Sequence, residues 1–96
     1  MELTLDEALK RGVKAHQAGE IQEADKFYTA ILNADPRHAD ANHNMGVLAA
    51  EIGKLEEALP FFNAALEVNS GIEQYWISYI NTLINLNRID DGKSAL

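Results

Sequence analysis

The strongest constraint on this chain is its likeness to itself: displaced by 34 residues, the sequence lines up with its own copy. The shift places Gly12 on Gly46, Gly19 on Gly53, Ala24 on Ala58 and Tyr28 on Phe62. It also brings together Ile21, Leu55 and Ile89, each followed two residues later by an acid, Glu23, Glu57 or Asp91. A fixed period of this length marks stacked supersecondary units that bury their apolar sides against one another, rather than one central core. The copies run over about 5–38, 39–72 and 73–96, so the third is cut short, and the whole is a single domain over 1–96.

Each copy reads as two helices. Thr4-Leu5-Asp6-Glu7 has the form of a capping box, so a helix starts at Leu5. Leu5, Ala8, Leu9, Gly12, Val13 and Ala15 keep helical spacing, and Gly19 supplies positive φ just past an end near Ala18. Ile21 opens a second helix through Phe27, Tyr28 and Ile31, stopped at Asp35-Pro36 because the residue before proline leaves the helical region. The pattern repeats from about Ala39 to Ile52, ended by Gly53, and from about Leu55 to Val68, closed by Asn69-Ser70-Gly71. Pro60 lies about one turn inside that fourth helix, where a slight bend is expected rather than a break. A fifth helix is predicted from about Ile72 to Leu86 and a sixth from near Ile89.

Paired helices every 34 residues resemble the tetratricopeptide repeat. The middle copy carries the markers most fully: Met45-Gly46, Gly53, Ala58, Phe62 and Ala65-Leu66. The first has Gly12, Gly19, Ala24, Tyr28 and a closing Pro36; the third keeps Trp76 and Tyr79 but departs at Ile80, Asn87 and Gly92. The resemblance implies an all-α fold of helix-turn-helix repeats, two full pairs plus an incomplete third, in a right-handed superhelix. Where the helices of a pair cross, Gly46 is expected to face the small Ala58, allowing the axes to approach closely. In the third copy Ile80 and Gly92 then read as a size exchange across the same contact.

Composition excludes several functions. A net charge of −7 with eight scattered Lys and Arg argues against nucleic acid, whose binding needs clustered cations, and against an anionic membrane surface. It is compatible with a basic peptide. No stretch approaches a membrane span, no signal-peptide core opens the chain, and the cytoplasm is the default location. Without cysteine there is no disulfide or thiolate site. His16, His38 and His43 lack the companions of a metal shell and read as exposed or partly exposed imidazoles. Glu56-Glu57 and Asp90-Asp91 sit in first turns, where they complement the helix dipole. No nucleophile motif or phosphate loop is present, so neither catalysis nor a cofactor is expected.

The remaining candidate is a surface. In the repeat family the first helix of each pair lines the concave side, which assigns Lys10, Val13, Gln17, His43, Asn44, Val47, Glu51, Ser78, Asn81 and Asn85 to a groove. Its amides offer both donors and acceptors, as an extended peptide backbone requires, although the same residues read equally well as ordinary solvated positions. Asn44 matches the asparagine ladder of repeats attached to protein O-linked N-acetylglucosamine transferases, but Lys10 and Ser78 replace it in the other copies. The basic set that grips a C-terminal carboxylate in some chaperone-binding members is missing. The run Trp76, Tyr79, Leu83 is similar to the last repeat before the catalytic domain of some bacterial transferases. Three readings stand: a protein-interaction module using its concave face, a substrate-presenting region of a larger bacterial transferase, and a homo-oligomeric scaffold joined through its open C-terminal end.

Overall fold

The computed structural model describes residues 3–95, and the side chains of residues 3–88. Five helices account for it: α1 (Leu5–Gln17), α2 (Ile21–Ala34), α3 (Ala39–Glu51), α4 (Leu55–Val68) and α5 (Glu73–Ala95). There is no strand among the described residues. The molecule measures 53 × 28 × 19 Å, the proportions of a stack rather than a sphere.

Helix ends 34 residues apart are built alike. Thr4 opens α1 with the full capping box, its Oγ1 accepting from the Glu7 N–H at 3.1 Å while Glu7 Oε1 accepts from the Thr4 N–H at 3.3 Å. The Thr4 hydroxyl also donates to Glu7 Oε1 at 3.0 Å, and this bond, with the one from the Thr4 N–H, holds the Glu7 carboxyl below its ordinary pKa. Gly19 and Gly53 end α1 and α3 at φ +78° and +86°, a region in which an L side chain is strained. Behind them, Glu20 N–H bonds Ala15 C=O and Lys54 N–H bonds Ala49 C=O, both at 2.9 Å, closing the last carbonyls of each helix. Asp35 and Asn69 cap α2 and α4, each accepting on Oδ1 from the N–H two residues on, that of Arg37 or Gly71. One cap was not foreseen: His38 opens α3, its Nδ1 accepting from the Ala41 N–H at 3.1 Å. Helix α4 runs unbroken through Pro60.

The expected sixth helix is absent as a separate element, because α5 continues without interruption to Ala95. The glycine of the other turns is missing there. The position held by Gly19 and Gly53 falls next on Asn87, and no described residue other than glycine has positive φ. Asn87 stays helical, the turn is not made, and the third repeat consists of one long helix.

The apolar side chains gather between helices rather than at one centre. Ala15, Ala24, Tyr28 and Leu48 form one buried cluster and Ala8, Ile31 and Ala41 another, with Leu9 packed against both. The group nearest Gly46 is the ring of Phe62, one turn after Ala58: a Cβ built on Gly46 would stand 2.6 Å from Phe62 Cε1. Gly12 meets Tyr28 in the same way, at 2.7 Å from Cε1. The close approach of each pair therefore seats a flat aromatic ring on a glycine. The proposed exchange between Ile80 and Gly92 involves a residue outside those with described side chains.

Candidate functional site

Tight packing lies within each pair and between adjacent pairs, whereas α1, α3 and α5 touch one another lightly and leave a groove along their shared side. Polar bridges span this layer, and all three join residues 35 apart, one more than the period. The helices are thus pinned with a one-residue offset per repeat.

At the α1–α3 step, His16 Nε2 lies 2.9 Å from Glu51 Oε1 and its Nδ1 lies 3.1 Å from the Tyr28 hydroxyl. A neutral ring protonated on Nε2 satisfies both: it donates to Glu51 and accepts from Tyr28. Tyr28 is fully buried, and burial, with the Glu51 carboxylate adding to it, pushes its phenol up to about 12. At the α3–α5 step, His43 sits between Asn44 Oδ1 at 3.3 Å and Ser78 Oγ at 2.8 Å, stacked on Tyr75 with ring centroids 4.8 Å apart. Here the proton on Nδ1 goes to Asn44 and the Ser78 hydroxyl donates to Nε2. Burial lowers the His43 pKa, opposed by Asn44 and the Asp40 carboxylate. The Tyr75 hydroxyl donates to Asp40 Oδ1, and burial followed by this bond raises the phenol pKa.

Two depressions lie in the groove. The first, of about 370 Å³, is lined by Val13, His16, Gln17, Tyr28, Asn44 and Glu51. The second, of about 250 Å³, is lined by Val47, Glu51, Ser78, Asn81 and Asn85 with Ala50, Leu55, Phe62 and Thr82. Glu51 belongs to both, half-exposed at its carboxylate. Eight of the ten residues assigned from sequence therefore meet here: Val13, Gln17, Asn44, Val47, Glu51, Ser78, Asn81 and Asn85. Lys10 is exposed on α1 one turn before Val13 and lines neither depression.

His43 is the second exception. It is 8% exposed and lies beneath the groove as a link between α3 and α5, not on its surface as an exposed imidazole. The stacking ring of Tyr75 and the Ser78 hydroxyl both come from another repeat, so nothing in the helical spacing of α3 marks the residue as buried. Sequence reasoning also missed His16, which lines the first depression. Its position one residue before the assigned Gln17 is the only local sign.

Among the described residues no three His, Asp or Glu side chains converge, and no helix is long and apolar enough to cross a membrane. The groove can offer hydrogen bonds, a carboxylate and shallow apolar contact from Val13 and Val47.

Comparison with known proteins agrees with the geometry. A family model described as the tetratricopeptide repeat matches residues 15–77, from the end of α1 into the first turns of α5. The chain is also similar to trafficking protein particle complex subunit 12 of Homo sapiens, at 42% identity over 45 residues. That stretch is 47% of this chain and 6% of the human protein.

Proposed function

The chain belongs to the tetratricopeptide repeat family, and from that membership we propose that it is a protein-interaction module whose concave face takes an extended peptide segment. The observation that carries this reading is the pair of depressions joined at Glu51 and edged by Gln17, Asn44, Asn81 and Asn85. Amides along such a path can match the alternating donors and acceptors of a peptide backbone. Glu51, half-exposed at the junction in a chain of net charge −7, favours a lysine or arginine at the centre of the bound segment. The same charge favours a protein over a nucleic acid or an anionic membrane. On this reading residues 1–96 act as one unit with repeats at about 5–38, 39–72 and 73–96, at work in the cytoplasm. The human relative is by its name a subunit of a complex, which agrees with an interaction role.

The test uses residues that serve the groove but not the fold. Asn44 is bonded to His43, so it is left intact. Gln17, Asn81 and Asn85 are exposed, and their replacement by alanine is expected to weaken binding of a peptide selected from a display library by at least tenfold with the melting temperature within about 2 °C of the parent, as surface changes usually are. Unchanged affinity in the triple variant would remove the groove from the reading.

A further inference from the structure

The side of α5 that faces away from α3 and α4 carries Trp76, Ile77, Ile80, Leu83 and Ile84, each 37–49% exposed. On α1 and α3 the repeat-equivalent positions of Trp76, Ile80 and Leu83 are Ala8, Gly12, Ala15 and Asn42, Gly46, Ala49. There the glycines receive the second helix of the pair, with Tyr28 seated on Gly12 and Phe62 on Gly46. In α5 the glycine is replaced by Ile80, which stands where the ring would sit. A second helix seating an aromatic ring there, as α2 and α4 do, would meet Ile80, and the chain stays helical through Asn87. The face is built to fit a different neighbour.

We propose that this neighbour is the same face of a second copy, the two α5 helices crossing antiparallel about Ile80. A two-fold pairing centred there sets residues whose numbers add to about 160 opposite each other, so Trp76 meets Ile84, Ile77 meets Leu83, and Ile80 meets itself. It also brings Glu73 of one copy beside Arg88 of the other at both ends of the apolar strip, opposite charges that a parallel pairing would set against their own kind. The five side chains expose on the order of 400 Å² of apolar surface per copy, at the level of the largest patches that monomers leave open. Covering both patches with their polar rims buries about 1,300 Å² in all, within the range of stable dimers. Ser78, Asn81 and Asn85 lie on another side of α5, so the groove stays open and the pairing stands or falls independently of peptide binding.

Sedimentation of the 96-residue chain from micromolar to millimolar concentration is expected to pass from 10.6 kDa to twice that mass. Ile80→Glu should hold it at the monomer mass with unchanged helical circular dichroism. Charge reversal separates antiparallel self-pairing from general stickiness: Glu73→Arg and Arg88→Glu should each weaken the dimer at least fivefold, and the double reversal should restore it. Since the chain has no cysteine, Ile80→Cys should give a disulfide-linked dimer on mild oxidation, while Gln22→Cys, exposed on α2, should not. A monomer at every concentration, a dimer indifferent to Ile80→Glu, or a double reversal no better than the singles would overturn the proposal. Each would leave the face to a different chain or to a following segment of a longer one.

Discussion

Gly46 shows how much one missing methyl group can decide. A glycine inside a helix gives up about 1 kcal/mol of propensity relative to alanine, so Gly46→Ala would stabilise α3 if space allowed. The methyl would stand 2.6 Å from the Phe62 ring, closer than carbon atoms approach, and Phe62 is itself 1% exposed, so the ring must shift within its packing. Overpacking of this kind costs about 1–3 kcal/mol, which outweighs the propensity gain. Gly46→Ala is expected to lower the urea midpoint, and the pair Gly46→Ala with Phe62→Leu to lose less than the two single changes added together. His43 makes a second prediction at this scale. Its pKa is lowered by burial, so the unfolded chain binds the proton more readily. Stability is therefore complete above the ordinary histidine range and falls as pH drops through it toward the lowered native value. Replacing His43 with glutamine should flatten that acid-side loss between pH 7 and 5, at the cost of a lower plateau because the link to Ser78 is altered. An equally steep acid loss in the variant would assign it elsewhere.

Among the elements, α5 differs from its counterparts in length, and it carries Asn87 where they end in glycine. Gly19 and Gly53 take up left-handed backbone at no steric cost, and the connections that follow reverse the chain. Asn87 is helical in the same place. Asn87→Gly is expected to cost the helix roughly half a kcal/mol and to speed amide hydrogen exchange beyond it by about twofold, with exchange in α1 to α4 unchanged. The converse, Gly53→Ala, forces an L residue to φ +86° and should destabilise the protein by about 1–2 kcal/mol. Open space surrounds that Cβ, so the effect, if measured, is backbone strain and not a clash.

For the whole molecule, the arrangement is a chain of neighbours. Each helix packs on those adjacent to it in sequence, and the polar bridges at a spacing of 35 residues tie the first helices together on the groove side. A basic peptide drawn to Glu51 in this acidic chain should lose affinity as salt rises, by roughly tenfold between 50 and 500 mM, while a neutral peptide of the same length changes little. Titration by calorimetry at both salt concentrations distinguishes them.

Read by itself, the sequence determined the period, the helical class and four of the five helix starts and ends to within a residue or so, while the side on which eight groove residues meet followed from the family resemblance. Those properties are local: capping boxes, glycine at positive φ, proline stops and apolar spacing act within a turn or two of helix and leave their mark in adjacent residues. Only the tertiary structure decided that the Phe62 ring comes nearest Gly46, that His43 is buried by Tyr75 from the next repeat, and that α5 runs on past Asn87. Each of these depends on what another helix brings within a few ångströms or on whether a turn finds anything to pack against, and such contacts are made by the folded stack.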